Sequence, residues 1–309
     1  MTEMHHPTGD QHHLRSADGR ATAEIAQVAA ALRAFTVDGV DLVPRYPLDS
    51  PTPMGSGMVL VPWPNRVRDG IWTQRGTTRR LAITEPALGN ASHGLLRFMP
   101  YTLATRDEAS VTLSAPVVPQ TGYPFHLGTS VTYSLEGAAL TVSHAITNLG
   151  TEEAPVALGM HPYLCIDDVD TADLILRSSG STRFVVDDKK VPIGQDPVDA
   201  ATDLRSGRRV GELSLDTAFG DLHRDDDGRV RTTLTAPDSR TLTLWQGQGF
   251  DFVQVFTTDR YPGRPLALAV EPMTAPADAL NSGQGLRWLA PGETWELQWG
   301  LAFDASPAA

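Results

Sequence analysis

With 309 residues, 41% of them hydrophobic, the chain is long and apolar enough to bury a core, which excludes a disordered protein. A formal net charge of −12 disfavours nucleic acid and anionic membranes as partners, and no apolar run is long enough to cross a bilayer. One cysteine, Cys165, permits no internal disulfide, so a soluble cytoplasmic protein is expected.

Residues 1–20 are polar and lack the apolar segment of a signal peptide, so they read as a mobile N-terminal tail. His5, His6, His12 and His13 lie within it. They show no fixed geometry and no cysteine partners, which favours a polar tail over a metal site. "ATAEIAQVAAALRAF" (21–35) is alanine-rich and suits a helix by propensity, a weak guide that leaves the segment open. "VPWPNRVRDGIW" (61–72) crowds Trp63, Trp72, two prolines and the pair Asn65-Arg66 into a short space. A guanidinium there could fork hydrogen bonds to neighbouring hydroxyls of a polar ligand, although such a pair also suits a structural turn. "NASHGLLRF" (90–98) sets His93 before Gly94, where the chain can turn sharply.

Period-two alternation then dominates. "ASVTLSAPVV" (109–118) reads as a strand, and residues 129–148 read as a β-hairpin with its turn at Glu136-Gly137. His144 falls on the apolar face of that hairpin and is expected to be a satisfied core residue. "LGMHPYLCI" (158–166) holds His161 in an apolar run, where Pro162 biases it toward extended backbone. Imidazole titrates nearest neutrality, so His93 or His161 could donate a proton at cellular pH. Residues 177–211 read as a long polar excursion, and Asp225-Asp226-Asp227-Gly228 as a solvated turn. "GFDFVQVFTTD" (249–259) is another strand. "TWELQWGLAF" puts Trp295, Leu297, Trp299, Leu301 and Phe303 on one face. No linker, repeat or phosphate-binding glycine loop appears. The predicted class is all-β, a large antiparallel β-sandwich, as one domain over 21–303 with a C-terminal tail at 304–309.

One acidic residue stands out. In "RPLALAVEP", Leu266, Leu268 and Val270 point one way, and Ala267, Ala269 and Glu271 the other. Glu271 therefore ends a strand on a small-residue face with room for a ligand, and Pro272 interrupts the ladder beyond it. A carboxylate so placed could act as a general base; a solvated strand end is the plainer alternative.

Taken in order, "PWPNR", "SHG", "MHPY", "LDTAFGDL" and "VEPMTAPADALN" resemble the aldose 1-epimerase (mutarotase) family, in its bacterial branch with a PWPNR motif. The resemblance runs from about residue 21 to about residue 303. It implies a galactose mutarotase-like supersandwich and favours strands over a helix in residues 21–35. It implies His161 as general acid, Glu271 as general base, and Arg66, His93, Asn65 and Asp216 as sugar-binding residues. Trp63, Phe219 and Trp245 are candidates for an aromatic wall against the sugar. The family's usual "HPYF" is "HPYL" here, and Met273 stands where glutamine is frequent. Both changes bear on sugar preference.

The implied reaction needs no metal or redox cofactor. The C1 hydroxyl loses a proton, the ring oxygen gains one, and the open-chain aldehyde turns and closes on its other face. Two other readings share the fold. One is a non-catalytic sugar-binding protein. The other is a mutarotase for a phosphorylated or sulfonated sugar, for which Arg68 and Arg97 are candidate anion-binding residues.

Overall fold

The computed structural model describes residues 6–305. Its first four strands, Gln11–Arg15, Ala21–Ala26, Leu32–Val37 and Val40–Val43, form an antiparallel meander. The expected tail therefore does not hold over residues 11–15. Alternation explains why: Leu14 is buried, His13 opposite Glu24 is not, and His12 pairs with Ile25. His5 lies outside the described residues. Among those described, no group of three or more His, Cys, Asp or Glu side chains is arranged to hold a metal ion.

Residues 21–35 are two strands and a turn rather than a helix. Ala21, Ala23 and Ile25 are buried while Thr22 and Glu24 face outward. Ala29 and Ala30 have positive φ in the connecting turn, and Tyr133 donates to the Ala30 carbonyl at 2.7 Å. Burial of an alternating face overrides alanine's helical preference.

Two large antiparallel sheets follow. The nine-stranded sheet centres on the hairpin Leu127–Glu136 and Ala139–Asn148, with Ser110–Val117 on one side and Thr294–Asp304 on the other. Trp295 to Phe303 are buried at alternate positions, and Glu296 and Gln298 are exposed. His144 is a satisfied core residue: Trp299 Nε1 donates to its Nε2 at 3.2 Å, and burial lowers its pKa to about 3.

The eight-stranded sheet runs Pro192–Pro197, Thr182–Val186, Asp216–Gly220, Phe252–Thr258, Ala267–Met273, Gly159–Met160 and Val59–Leu60, with Tyr163–Leu164 also on Ala267–Met273. The polar excursion thus supplies strands to both sheets, since Ile175–Ser178 and Arg208–Arg209 join the nine-stranded one. Val131, Val142 and Leu301 of one sheet share an apolar core with Val253, Val255, Leu268 and Val270 of the other. The fold is the expected all-β sandwich. No helix among the described residues is long and apolar enough to cross a membrane. The acidic turn is as expected, with Gly228 at φ 77° and Arg231 bonded to Asp225 and Asp227.

Candidate active site

The core side of the eight-stranded sheet takes Val253, Val255, Leu268 and Val270, so period two sends Gln254, Phe256, Ala267, Ala269 and Glu271 to its other face. Register aligns these residues into rows. Ala218, Gln254 and Glu271 are cross-strand neighbours, and so are Asp216, Phe256, Ala269 and Tyr163. Two sequence expectations need correcting here. The strand continues through Pro272 to Met273, because Pro272 opposite Val253 loses one donor without breaking the pairing. Nor is the alanine face open, since Tyr163 and Tyr261 pack over Ala267 and Ala269.

Loops deliver the remaining groups. The "PNR" and "SHG" segments are stitched together: Arg66–Val67 pairs with Ala91–Ser92, the His93 N–H donates to the Asn65 carbonyl at 2.8 Å, and the Leu95 N–H donates to the Val61 carbonyl at 2.9 Å. Asn65 and His93 both have positive φ. Gly94, at φ 71°, is required because a Cβ there would lie 2.2 Å from the Val61 oxygen. His161 follows Gly159–Met160, which bridges Val59–Leu60 and Ala267–Met273. The His161 N–H donates to the Met58 carbonyl at 3.1 Å.

These elements enclose a cavity of about 230 Å³ lined by Met54, Asn65, Arg66, Glu85, His93, His161, Asp216, Gln254, Phe256, Arg260 and Glu271. Asn65, Arg66, His93, His161, Asp216 and Glu271, which the sequence singled out, therefore meet in one place. His161 Nε2 lies 3.4 Å from Glu271 Oε1, and both side chains are buried. His93 meets His161 edge-on at 5.6 Å between ring centres. Arg66 forks onto Glu85 at 2.9 and 3.0 Å and donates to Asn65 Oδ1 at 3.3 Å. Asn65 in turn donates to Gln254 Oε1 at 3.4 Å, and Gln254 Nε2 donates to Asp216 Oδ1 at 2.7 Å. His93 Nδ1, His161 Nδ1, Tyr163 Oη and Glu271 Oε2 are buried without hydrogen-bond partners. Buried polar atoms are rarely left so, and three of these belong to residues lining one cavity, which marks a surface shaped for something polar.

Burial governs the protonation states. It lowers His161 to about 4, with the Arg66 charge acting in the same direction. It drives Glu271 well above the usual carboxylate range, with Asp216 adding repulsion and Arg66 opposing. It pushes His93 well down as well. Burial therefore favours neutral imidazoles and a protonated Glu271, since a lone buried charge is costly.

Other expectations fall away. Trp63 is 2% exposed and packs against Tyr123 at 6.1 Å, so it belongs to the core and not to the cavity wall. Phe219 is likewise a core residue. Trp245 lies on the other sheet, beneath Arg229 at 4.0 Å, in an open groove of about 920 Å³. That groove is larger than the cavity, but it is the solvated sheet face, and its histidine, His144, is already committed to Trp299. Arg68 is paired with Asp187, and Arg97 donates to the Thr84 carbonyl; neither lines the cavity. Sequence reasoning missed Met54, Glu85, Gln254, Phe256 and Arg260. Gln254 had a visible signal, as a lone amide within "FVQVF".

Residues 11–301 match the aldose 1-epimerase family. The chain belongs to that family. It is 32% identical over 301 residues to the uncharacterized protein YihR of Escherichia coli, covering 96% of this chain and 94% of that one. Its fold is shared with a GalM/aldose epimerase homologue from C. elegans (TM-score 0.82, 19% identity, 96% and 99% of the two chains). It is shared too with a galactose 1-epimerase from Lactobacillus acidophilus (TM-score 0.79, 17% identity, 94% and 92%). Family membership makes a sugar the expected small-molecule partner and an epimerase the expected enzyme class. The galactose mutarotase-like sandwich is the architecture observed.

Proposed function

We propose that this chain interconverts the α and β anomers of an aldohexose as an aldose 1-epimerase. The observation that carries the reading is the 3.4 Å approach of His161 Nε2 to Glu271 Oε1 in a cavity shared with Arg66, His93, Asp216 and Gln254. The ring oxygen and the anomeric hydroxyl of a sugar are bonded to the same carbon. An acid and a base that serve them must be close neighbours, as these two are.

The proton count fits the task. One proton held between His161 and Glu271 suffices, and burial keeps it on the carboxyl. On sugar binding it crosses to His161. Glu271 then takes the C1 hydroxyl proton as C1=O forms, and His161 protonates the ring oxygen as the C1–O5 bond breaks. Rotation about C1–C2 and closure with both transfers reversed give the other anomer. Each transfer contributes about 10²–10⁴-fold. Holding the hydroxyls on Arg66, Asn65, His93, Asp216 and Gln254 supplies the positioning. The lone, buried Cys165 suits the reducing cytoplasm.

NMR exchange spectroscopy across glucose, galactose and charged derivatives tests the reading. The wild type accelerates anomer exchange, and folded His161→Gln and Glu271→Gln variants do not. Full activity in either variant overturns the assignment. A sugar-binding protein without catalysis needs no acid beside a base, so binding without exchange in the wild type would identify that case. One observation favours a charged sugar as a second reading. Arg260 lines the cavity, and among the described residues its side chain has no ion-pair partner. On that reading, Arg260→Gln weakens exchange of a phosphorylated or sulfonated hexose and spares glucose.

A further inference from the structure

Resting on that function, we propose that Tyr163 is a positioning residue for His161, and that its hydroxyl gains a hydrogen-bond partner only when a sugar fills the cavity. Most of the buried tyrosines have a hydrogen-bond partner for the hydroxyl, and Tyr101 and Tyr163 do not. Tyr123 donates to the Pro155 carbonyl at 2.5 Å, Tyr133 to Ala30 at 2.7 Å, and Tyr261 to Pro44 at 3.2 Å. Tyr163 is 0% exposed, yet its hydroxyl has no partner. A buried hydroxyl left in that state costs stability, and evolution could remove it by substituting phenylalanine.

Its place in the sheet connects it to the cavity. Tyr163 stands opposite Ala269, Ala269 opposite Phe256, and Phe256 opposite Asp216. The last two residues of this row line the cavity. The small Ala269 side chain leaves the tyrosine ring room on the sheet, and Met54 and Phe256, both cavity residues, pack against the same cluster. On its other side the ring stacks on His161, with centres 5.3 Å apart and planes 25° from parallel, and Tyr261 backs it at 4.7 Å. His161 Nδ1 has no hydrogen-bond partner to fix the imidazole. The stack therefore holds the ring that meets Glu271.

The test pairs two variants with the wild type in the exchange assay. Tyr163→Phe keeps the stack and loses the hydroxyl. It should melt no lower than wild type, raise KM about tenfold and leave kcat within about twofold, because the lost bond forms only with sugar present. Tyr163→Leu removes the stack. It should lower kcat about a hundredfold and shift the pH profile of kcat, the cost of a misplaced imidazole. Tyr163→Met replaces it if the leucine variant does not fold. An unchanged KM in Tyr163→Phe, or a lower melting temperature, overturns the hydroxyl's role. An unchanged kcat and pH profile in the stack-removing variant overturns the positioning role. A wild type inactive on every sugar overturns the functional reading itself, and this proposal with it.

Discussion

Replacing each member of the buried pair in turn should give the protein opposite pH dependences of stability. In the fold, His161 titrates at about 4 and an unfolded histidine near 6.5. Between those values the unfolded chain holds the proton and the folded chain does not, so His161 makes stability rise with pH. Glu271 has the reverse sign. Its folded pKa lies well above the 4.5 of an ordinary glutamate, so above that value only the folded chain keeps the proton, and stability falls as pH rises. Each slope is about 1.4 kcal/mol per pH unit. Both side chains are at most 7% exposed, and neither shift has the other residue among its causes. In wild type the two slopes cancel between about pH 4.5 and 6.5, because folded and unfolded chains each carry one proton on the pair. Glu271→Gln unmasks the histidine: its stability relative to wild type should climb from pH 4.5 to 6.5. His161→Gln should fall over the same range, by about 2 kcal/mol. Urea unfolding at five pH values measures both, and taking wild type as reference removes every other titrating group. Two flat difference curves would mean that neither side chain changes its protonation on folding, and would refute the shifts on which the neutral pair rests.

Gln254→Leu removes the donor to Asp216 and the acceptor for Asn65, so kcat/KM in the exchange assay should drop by about 10- to 100-fold while the protein stays folded. Gly94→Ala forces a Cβ against the Val61 oxygen at positive φ; thermal melts should show a loss of about 1–3 kcal/mol, with activity falling as His93 moves. Trp63→Phe should leave KM for the sugar unchanged and cost stability alone, as a core residue would; a raised KM would return Trp63 to the site.

The strands were legible because period two is strong where one face is buried, as in Ala139–Asn148 and Thr294–Asp304. Residues 21–35 were not, because alanine satisfies helix propensity and a crowded strand equally well, and only the partner strands decide. The catalytic candidates were visible as odd residues in apolar runs: His161 before a proline, Glu271 after small alanines. Their 3.4 Å contact was not visible, since it depends on Gly159–Met160 bridging two strands far apart in sequence. The wall residues failed for a related reason. Trp63, Phe219 and Trp245 look alike in sequence, but burial depends on which sheet and which face receives them. Two are in the core and one is on the opposite sheet. Phe256 and Met54 form the apolar lining instead, and neither stands out in an apolar chain.

The arrangement also suggests why a buried pair suits this chemistry. Anomers differ little in energy, and the reaction runs both ways, so neither direction gains from a strongly committed acid or base. Burial raises the carboxyl and lowers the imidazole, reversing the order of proton affinity they have in water, so the pair holds one proton without carrying charge. Arg66 tips the balance by favouring the carboxylate and disfavouring the imidazolium, and its fork onto Glu85 holds it in place. Loosening that fork with Glu85→Gln should weaken sugar binding and leave the pair's opposite pH slopes intact, which separates Arg66's hold on the substrate from its effect on the proton.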